Sequence, residues 1–163
     1  MGDPECRVPS TGTRGRSPVC HVEVILPSAL SDTISTHLAV AGSLLPVQTR
    51  AVYDISDPYA VRFDFTLDGC PPIRWHFERD MLAEGVRRPV GEGDVSLRPR
   101  WTGGRETLVM ELWGDTRVGY ESAVLITDSA QVSDFLDESY RLVSRGSESW
   151  DVDGFLHRIQ CPD

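Results

Sequence analysis

Apolar and polar side chains alternate most regularly in the middle of the chain, between Tyr59 and Phe77. A period of two directs one set of side chains to a core and the other to solvent, as in a half-buried β-strand. Residues 68–72 (Asp-Gly-Cys-Pro-Pro) interrupt the alternation with turn-forming residues. The pattern therefore predicts a β-hairpin whose apolar face is formed by Tyr59, Val61, Phe63, Phe65, Leu67, Ile73, Trp75 and Phe77.

Shorter apolar segments on both sides of this hairpin predict further strands. Before it, strands are expected at Ser35–Ala41 and Val47–Asp54, with a turn at Gly42–Pro46. The segment Val22–Leu30, which Pro27 interrupts, is compatible with a strand or with a docking arm. After the hairpin, Gly91 and Gly93 break the chain, and three alternating sets follow: Val95, Leu97 and Trp101; Leu108, Met110 and Leu112; Val118, Tyr120, Ser122, Val124 and Ile126.

Three segments have a helical pattern. Asp80 is expected to cap a short helix that contains Met81 and Leu82. Asp128, with Gln131 three residues later, resembles a capping box for a longer amphipathic helix that ends near Gly146. A second short C-terminal helix is expected around residues 152–159, with Val152, Phe155, Leu156 and Ile159 on one side.

The order of these elements predicts an α+β fold, because helices follow runs of antiparallel strands. About seven strands are expected, in curved, β-barrel-like antiparallel sheets flanked by helices. A length of 163 residues allows one domain with a sizeable core. Residues 1–20 are rich in Pro, Gly, Ser, Thr and Arg, so we expect a disordered N-terminal extension followed by a single domain over residues 21–163.

Composition narrows the function. All sixteen basic residues are arginine. Because the formal net charge is −9, a general attraction to the phosphate backbone of nucleic acids is disfavoured. The four cysteines lack the close pairs of a zinc site and the density of a secreted disulfide framework. No apolar run approaches the ~18 residues that cross a bilayer, so a cytoplasmic protein is expected.

No combination of residues predicts catalysis. The four histidines are scattered, and His76 lies on the polar side of its strand. Residues 91–94 (Gly-Glu-Gly-Asp) are rich in glycine, but they lack the Gly-Lys-Ser/Thr of a phosphate-binding loop and carry two acids. We therefore expect no catalytic residue, no cofactor and no metal, and a protein that is not an enzyme.

The middle of the chain resembles the SsgA-like proteins of sporulating actinobacteria. Three motifs carry this resemblance: Tyr53-Asp54-x-x-Asp57-Pro58-Tyr59-Ala60-Val61, then Trp75-x-Phe77-x-Arg79-Asp80-x-Leu82-Ala83-Glu84-Gly85, then Arg88-Pro89-x-Gly91-x-Gly93-Asp94-Val95. The resemblance is dense from about residue 52 to residue 99 and weaker to residue 159.

That resemblance implies a fold similar to the Whirly and mitochondrial guide-RNA-binding proteins, packed as a homotrimer. It also implies a non-enzymatic cytoplasmic adaptor of sporulation-specific cell division, located at the division septum. The partners implied are the tubulin-like GTPase FtsZ, which the adaptor recruits or tethers, and other SsgA-like proteins.

Two segments are candidates for contact with a partner. Arg87 and Arg88 follow the short helix and precede a loop rich in Pro and Gly. Arginine is enriched at binding hot spots, although solvated cations at a helix end are an equally good explanation. Gly146 and Glu148 lie in the link after the long helix, where an ordinary helix-ending glycine is the competing interpretation.

The alternative function is a single-stranded nucleic-acid-binding module of Whirly-like fold. It would need a local strip of arginine and aromatic side chains to overcome the acidic balance. The candidates for that strip are Arg62, Arg74, Arg98, Arg100 and Trp101.

Overall fold

The computed structural model describes residues 28–116 and 119–149. The extension at residues 1–20, most of the segment Val22–Leu30, Val118 and the short helix around residues 152–159 lie outside the described residues. Within the described residues there are eight strands and two helices. In chain order they are β1 (Ala29–Val40), β2 (Ser43–Asp54), β3 (Ala60–Thr66), β4 (Ile73–Glu78), α1 (Arg79–Gly85), β5 (Val90–Glu92), β6 (Val95–Thr102), β7 (Arg105–Thr116), β8 (Gly119–Asp128) and α2 (Ser129–Leu142).

All eight strands form one antiparallel sheet in the order β4-β3-β2-β1-β8-β7-β6-β5. The first four and the last four strands are two meanders, which β1 and β8 join at the centre. A helix follows each meander. The α+β prediction is confirmed, and the second half gains β5, a three-residue strand that the sequence pattern did not predict.

The sheet curls into a half-barrel. Helix α1 packs against β4, at one edge of the sheet, and also against β5 and β6 at the other edge. A seven-residue helix is only about 10 Å long, so it reaches both edges because the sheet bends around it. Helix α2 packs on β1, β7 and β8. Both helices thus lie at one end of the concave face.

Aromatic side chains fill the centre of the concave face. Phe63 and Phe77 are fully buried, and their ring centroids lie 5.2 Å apart in an edge-to-face arrangement. The strand register places Phe63 between Ala51 on β2 and Trp75 on β4. Burial of these rings supplies a large share of the hydrophobic stabilisation of the domain.

The first hairpin differs from its prediction. A turn was expected at Gly42–Pro46, but the structure has a two-residue turn at Ala41 and Gly42. These two residues have positive φ angles of 47° and 81°. Such a pair matches the twist of the flanking strands, so pairing continues directly into β2. Pro46 consequently lies within β2, opposite His37. The strands predicted at Ser35–Ala41 and Val47–Asp54 exist but are longer.

Several side chains that were predicted to lie on the buried face of a strand are exposed or only half-buried in the structure. Tyr59 is 50 % exposed and Ile73 is 61 % exposed, while Trp75 is only half-buried. Trp101 is 69 % exposed, because the β6–β7 hairpin extends beyond the core. On β8 the buried face belongs to Leu125 and Thr127 rather than to the predicted set of Ser122, Val124 and Ile126.

Both described helices begin or end differently from the simplest prediction. Asp128 caps α2 as predicted, and its carboxylate accepts a hydrogen bond from the Gln131 amide at 3.1 Å. The helix ends at Leu142, however, and not near Gly146. The N-cap of α1 is Glu78, with no side-chain cap, so the prediction that Asp80 caps this helix is wrong.

Candidate partner-binding site between the two helices

Arg79 is the buried centre of the junction between α1 and α2. Its side chain is only 1 % exposed, although it carries a full positive charge. It donates hydrogen bonds to the Tyr53 hydroxyl at 3.0 Å and to the carbonyl oxygens of Ser139 at 3.2 Å and Val143 at 2.9 Å. It also forms an ion pair with the Glu148 carboxylate. These partners offset much of the cost of removing a guanidinium from water, and of its three nitrogens only Nε is buried without a hydrogen-bond partner among the described residues.

Aromatic rings complete the environment of Arg79. The guanidinium carbon lies 4.2 Å from the Tyr140 ring centroid and 5.0 Å from that of Tyr53. Both distances are within the range of a cation–π interaction. The Arg79 amide also donates to the Tyr59 carbonyl at 2.7 Å, which fixes the start of α1 against the start of β3.

The segment that follows α2 is held in place by this arrangement. Glu148 accepts from Arg79 and from the Gly146 amide, and its carbonyl accepts from the Tyr59 hydroxyl at 3.1 Å. Gly146 has a φ angle of 81°, which favours glycine and lets the chain turn back towards Arg79. Residues 143–148 therefore form a loop, the Arg79-bound loop, with a defined path over the junction.

A second, more exposed polar cluster lies beside it. The Asp80 carboxylate accepts from the Tyr140 hydroxyl at 2.6 Å and from Arg145 Nε at 3.0 Å. The Arg145 guanidinium lies 5.3 Å from the Tyr140 ring centroid. Asp80 therefore ties the first turn of α1 to the end of α2 and to the Arg79-bound loop, which is why it is unavailable as a helix cap.

The electrostatics of this cluster favour the charged carboxylate. Partial burial opposes ionisation of Asp80, but the hydrogen bonds from Tyr140 and Arg145 outweigh it and lower the pKa of Asp80. Burial and the hydrogen bond to Asp80 raise the pKa of Tyr140 to about 12. A backbone hydrogen bond and the contact with Arg79 lower the pKa of Glu148 despite its desolvation. At neutral pH the two carboxylates are thus charged and bound.

Arg87 lies where three adjoining clefts meet on the surface of the junction. The cleft between α1 and α2, which we call the interhelical cleft, has a volume of ≈ 260 Å³. Its lining combines apolar and charged side chains: Ala83, Val86, Arg87, Ser133, Leu136, Asp137, Tyr140 and Arg145. A neighbouring cleft of ≈ 430 Å³ has a mixed-charge lining of Asp80, Ala83, Glu84, Arg87, Arg88 and Arg145.

The structure brings the four predicted contact residues to one region, in different roles. Arg87 and Arg88 are both exposed; Arg88 pairs with Glu84, whereas Arg87 has no ion-pair partner among the residues described. Gly146 is exposed in the Arg79-bound loop. The Glu148 side chain points inward to Arg79 and is only 10 % exposed, so its direct effect is to hold that loop.

Sequence reasoning missed Arg79, Tyr140 and Arg145 as members of this site. Arg79 directly follows the outward-facing Glu78, and a charged residue there predicts solvent exposure. Its burial depends on Tyr140 and Glu148, which are more than sixty positions away. The only local signal was the dense motif that contains Arg79, and no local pattern indicated its partners.

The residues proposed for nucleic-acid contact do not form one strip. Arg62 and Arg74 lie on β3 and β4, whereas Arg98, Arg100 and Trp101 lie on β6, and four strands separate β3 from β6. Arg62 and Arg74 both pair with Asp64, and Arg98 pairs with Glu111. These ion pairs reduce the positive charge available to phosphates.

The described residues contain no cluster of three or more His, Cys, Asp or Glu side chains that is placed to hold a metal ion. His37 and His76 are both exposed, and the other two histidines lie outside the described residues. Across residues 28–116 and 119–149, neither helix is long and apolar enough to cross a membrane.

A curled antiparallel sheet with two helices at one end, joined through a buried arginine, defines an α+β domain with a polar interhelical surface. A family model described as Streptomyces sporulation and cell division protein, SsgA, matches residues 47–148. This chain therefore belongs to the SsgA family.

Relatives agree with that assignment. The sporulation-specific cell division protein SsgB of Saccharopolyspora erythraea is 37 % identical over 124 residues, which cover 75 % of this chain and 84 % of the relative. SsgB of Streptomyces coelicolor is 34 % identical over 119 residues, covering 72 % and 84 %. The resemblance stated from the sequence is thus confirmed.

Solved structures agree as well. The crystal structure of an SsgA-like sporulation-specific cell division protein from Thermobifida fusca superimposes with a TM-score of 0.70 at 29 % identity, covering 83 % of this chain and 98 % of that one. A structure from work on SsgB mutations and longitudinal cell division in Streptomyces coelicolor gives a TM-score of 0.67 at 32 % identity, covering 74 % and 92 %. Together with the family model, these relatives support a role in sporulation cell division.

Proposed function

We propose that this chain is a non-enzymatic cytoplasmic adaptor of sporulation-specific cell division, which acts at septum sites and recruits or tethers FtsZ. The observation that carries the proposal is the exposed Arg87 at the meeting point of three clefts, without an ion-pair partner among the described residues. An exposed guanidinium offers bidentate hydrogen bonds to a carboxylate on a partner.

The lining of the interhelical cleft fits a protein segment better than a small substrate. Ala83, Val86 and Leu136 provide an apolar lining, and Arg87 provides a cation that has no ion-pair partner among the described residues. The other charged side chains of the lining are Asp137 and Arg145, and Arg145 is already paired with Asp80. A segment with an acidic side chain next to an apolar one would match both features. We therefore propose that FtsZ presents such a segment to this cleft.

The Arg79-bound loop gives the surface a fixed shape. Hydrogen bonds that Arg79 donates to the Val143 carbonyl and the Glu148 carboxylate hold the loop against the junction before any partner arrives. A surface that is already ordered loses less conformational entropy on binding. In this proposal Gly146 contributes the turn, Glu148 anchors the loop, and Arg87 and Arg88 contact the partner.

Self-association would strengthen a weak contact. As a homotrimer, the proposed assembly would present three copies of the surface, and the effective concentration of the second and third sites would raise overall avidity. An adaptor of this kind would hold FtsZ filaments at one place without changing nucleotide chemistry, which belongs to FtsZ. Other SsgA-like proteins are the proposed companions at the septum.

The test is co-sedimentation of the purified chain with polymerised FtsZ. The double variant Arg87→Glu/Arg88→Glu should lose co-sedimentation while keeping the wild-type thermal midpoint. Arg50→Glu/Arg74→Glu changes the charge by the same amount on exposed positions of β2 and β4, away from the clefts, and should co-sediment like wild type. Equal loss in both variants would indicate a nonspecific charge effect and would contradict the assigned surface.

The same proteins test the alternative of single-stranded nucleic-acid binding. Salt-sensitive binding of a labelled oligonucleotide by wild type, together with no FtsZ co-sedimentation under any nucleotide condition, would favour that alternative. The net charge of −9 and the ion pairs of Arg62, Arg74 and Arg98 favour the adaptor.

A further inference from the structure

The three clefts that meet at Arg87 form one continuous groove. The interhelical cleft shares Ala83 and Arg145 with the cleft of ≈ 430 Å³. It shares Val86 and Ser133 with the third cleft, which has a volume of ≈ 410 Å³. The interhelical cleft therefore lies between the other two, and we call the three together the α2 groove.

The α2 groove follows one side of α2 for most of the length of the helix. The α2 residues that line it recur every three or four positions, and they therefore lie on one face: Ala130, Ser133, Asp137 and Tyr140. From Ala130 to Tyr140 the helix rises about 15 Å. An extended chain covers that distance with about five residues. The groove thus has the shape of a site for a short linear segment that lies alongside the helix.

Most charged side chains of the α2 groove already neutralise one another. Three ion pairs lie within its lining: Arg88 with Glu84, Arg145 with Asp80, and Arg105 with Asp128. The cation Arg87 and the acids Asp137 and Glu106 have no ion pair among the described residues. All three of these side chains are exposed. They are therefore the charges that a bound segment would meet.

The interhelical cleft holds the two opposite charges on different walls. Arg87 directly follows α1, whereas Asp137 belongs to α2. Val86 on the first wall and Leu136 on the second supply apolar surface in the same cleft. An extended segment directs successive side chains to opposite sides, so it can place an acid on the α1 wall and a base on the α2 wall.

We propose that the α2 groove binds an extended linear segment of FtsZ, with an acidic side chain paired to Arg87, an aliphatic side chain on Val86 and Leu136, and a basic side chain paired to Asp137. This inference rests on the proposed function and specifies which part of the partner is recognised, namely a linear segment rather than a folded surface. Complementary charges on the two walls would select that segment and fix its register.

The test is fluorescence anisotropy with labelled, overlapping short peptides that together cover FtsZ of the same organism, titrated with the full chain. Peptides that share one sequence should bind, and that sequence should contain an acid, an aliphatic residue and a base. Arg87→Glu should weaken their binding at least ~10-fold, as expected for an arginine at the centre of an interface.

Two exposed aspartates of α2 provide a matched pair of variants. Asp137→Lys reverses a charge inside the α2 groove and should weaken binding about 5-fold, because repulsion replaces an exposed ion pair. Asp134→Lys makes the same change on the same helix at a position that lines none of the three clefts, and it should bind like wild type. A peptide whose base is replaced by Glu should bind Asp137→Lys more tightly than it binds wild type. That reversal also shows that the variant is folded.

Two results would overturn this inference and leave the proposed function in place. The first is full-length FtsZ that co-sediments with the chain while none of its peptides binds. The second is peptide binding to which Asp137→Lys and Asp134→Lys make no different contribution. Binding of a peptide with residues 150–163 of this chain, in place of any FtsZ peptide, would assign the groove to the C-terminal segment of the chain and would also overturn the inference. Absence of FtsZ co-sedimentation contradicts the proposed function itself.

Discussion

Replacing the buried arginine is the most informative perturbation of the fold. Arg79→Met keeps the approximate length and the apolar part of the side chain but removes every hydrogen bond of the guanidinium. Tyr53, Ser139 and Val143 each lose a donor within 3.2 Å, and Glu148 loses its ion-pair partner. The variant therefore tests whether the Arg79-bound loop depends on this one side chain.

The expected cost follows from the burial of Arg79. Removing one partner of a buried, hydrogen-bonded charge pair costs about 3–5 kcal/mol, since the remaining polar groups stay desolvated. For a domain of this size the loss lowers the thermal midpoint by roughly 6–20 °C. The matched control is Arg74→Met, the same substitution at a side chain that is 57 % exposed, which should cost less than about 1 kcal/mol.

Chemical denaturation monitored by circular dichroism measures both variants. Hydrogen exchange adds a local readout, because the amides of Val143 and Ser147 donate within the loop region and should lose protection in Arg79→Met. Equal stability losses in Arg79→Met and Arg74→Met, with unchanged protection of these amides, would refute the assignment of Arg79 as the centre of the junction.

Three further predictions concern the pH dependence of stability, the packing of the central hairpin and the close contact between α1 and β6. The pKa of Asp80 is lowered from 3.8, so its carboxylate stabilises the fold above that pH and loses this effect as the pH falls through the lowered pKa. Asp80→Asn should therefore lower the free energy of unfolding by up to ~1 kcal/mol at neutral pH and leave it equal to wild type in strong acid. Chemical denaturation at a series of pH values measures this difference. Phe77→Ala, at a fully buried ring, should cost about 3–5 kcal/mol in urea unfolding, and half-buried Trp75→Ala clearly less; the reverse order would refute the assigned strand face. In Gly85→Ala the new Cβ would lie 2.7 Å from the Cβ of Leu97. Thermal melts should therefore show a net loss of stability of about 1 kcal/mol, although alanine is the better helix former. A gain in stability would contradict the close packing of α1 on β6.

Local periodicity was sufficient to predict most elements of the sheet. The alternation around Phe63 and Phe77 identified the central hairpin, because a half-buried strand imposes a period of two on its own sequence. The Asp128 cap of α2 was predicted for the same reason, since its partner Gln131 is three residues away. Both features depend on neighbours in the chain.

Features that depend on distant partners were not predictable in this way. The strand β5 has only three residues and is defined by its pairing with β6, so it has no periodicity of its own. Asp80 had the sequence context of a cap, but Tyr140 and Arg145 bind its carboxylate instead. Arg87 and Arg88 were identified as contact candidates from residue type and position, and that role remains a prediction.

Imaging of FtsZ in sporulating cells tests the central claim most directly. The chromosomal copy would be replaced by Arg87→Glu/Arg88→Glu, with Arg50→Glu/Arg74→Glu as the control, and fluorescent FtsZ would be followed during septum formation. The account predicts that the chain reaches future septum sites in both strains, whereas FtsZ assembles there on time only in the control. Normal formation of FtsZ rings at septum sites in the Arg87→Glu/Arg88→Glu strain would contradict the claim that this surface recruits FtsZ.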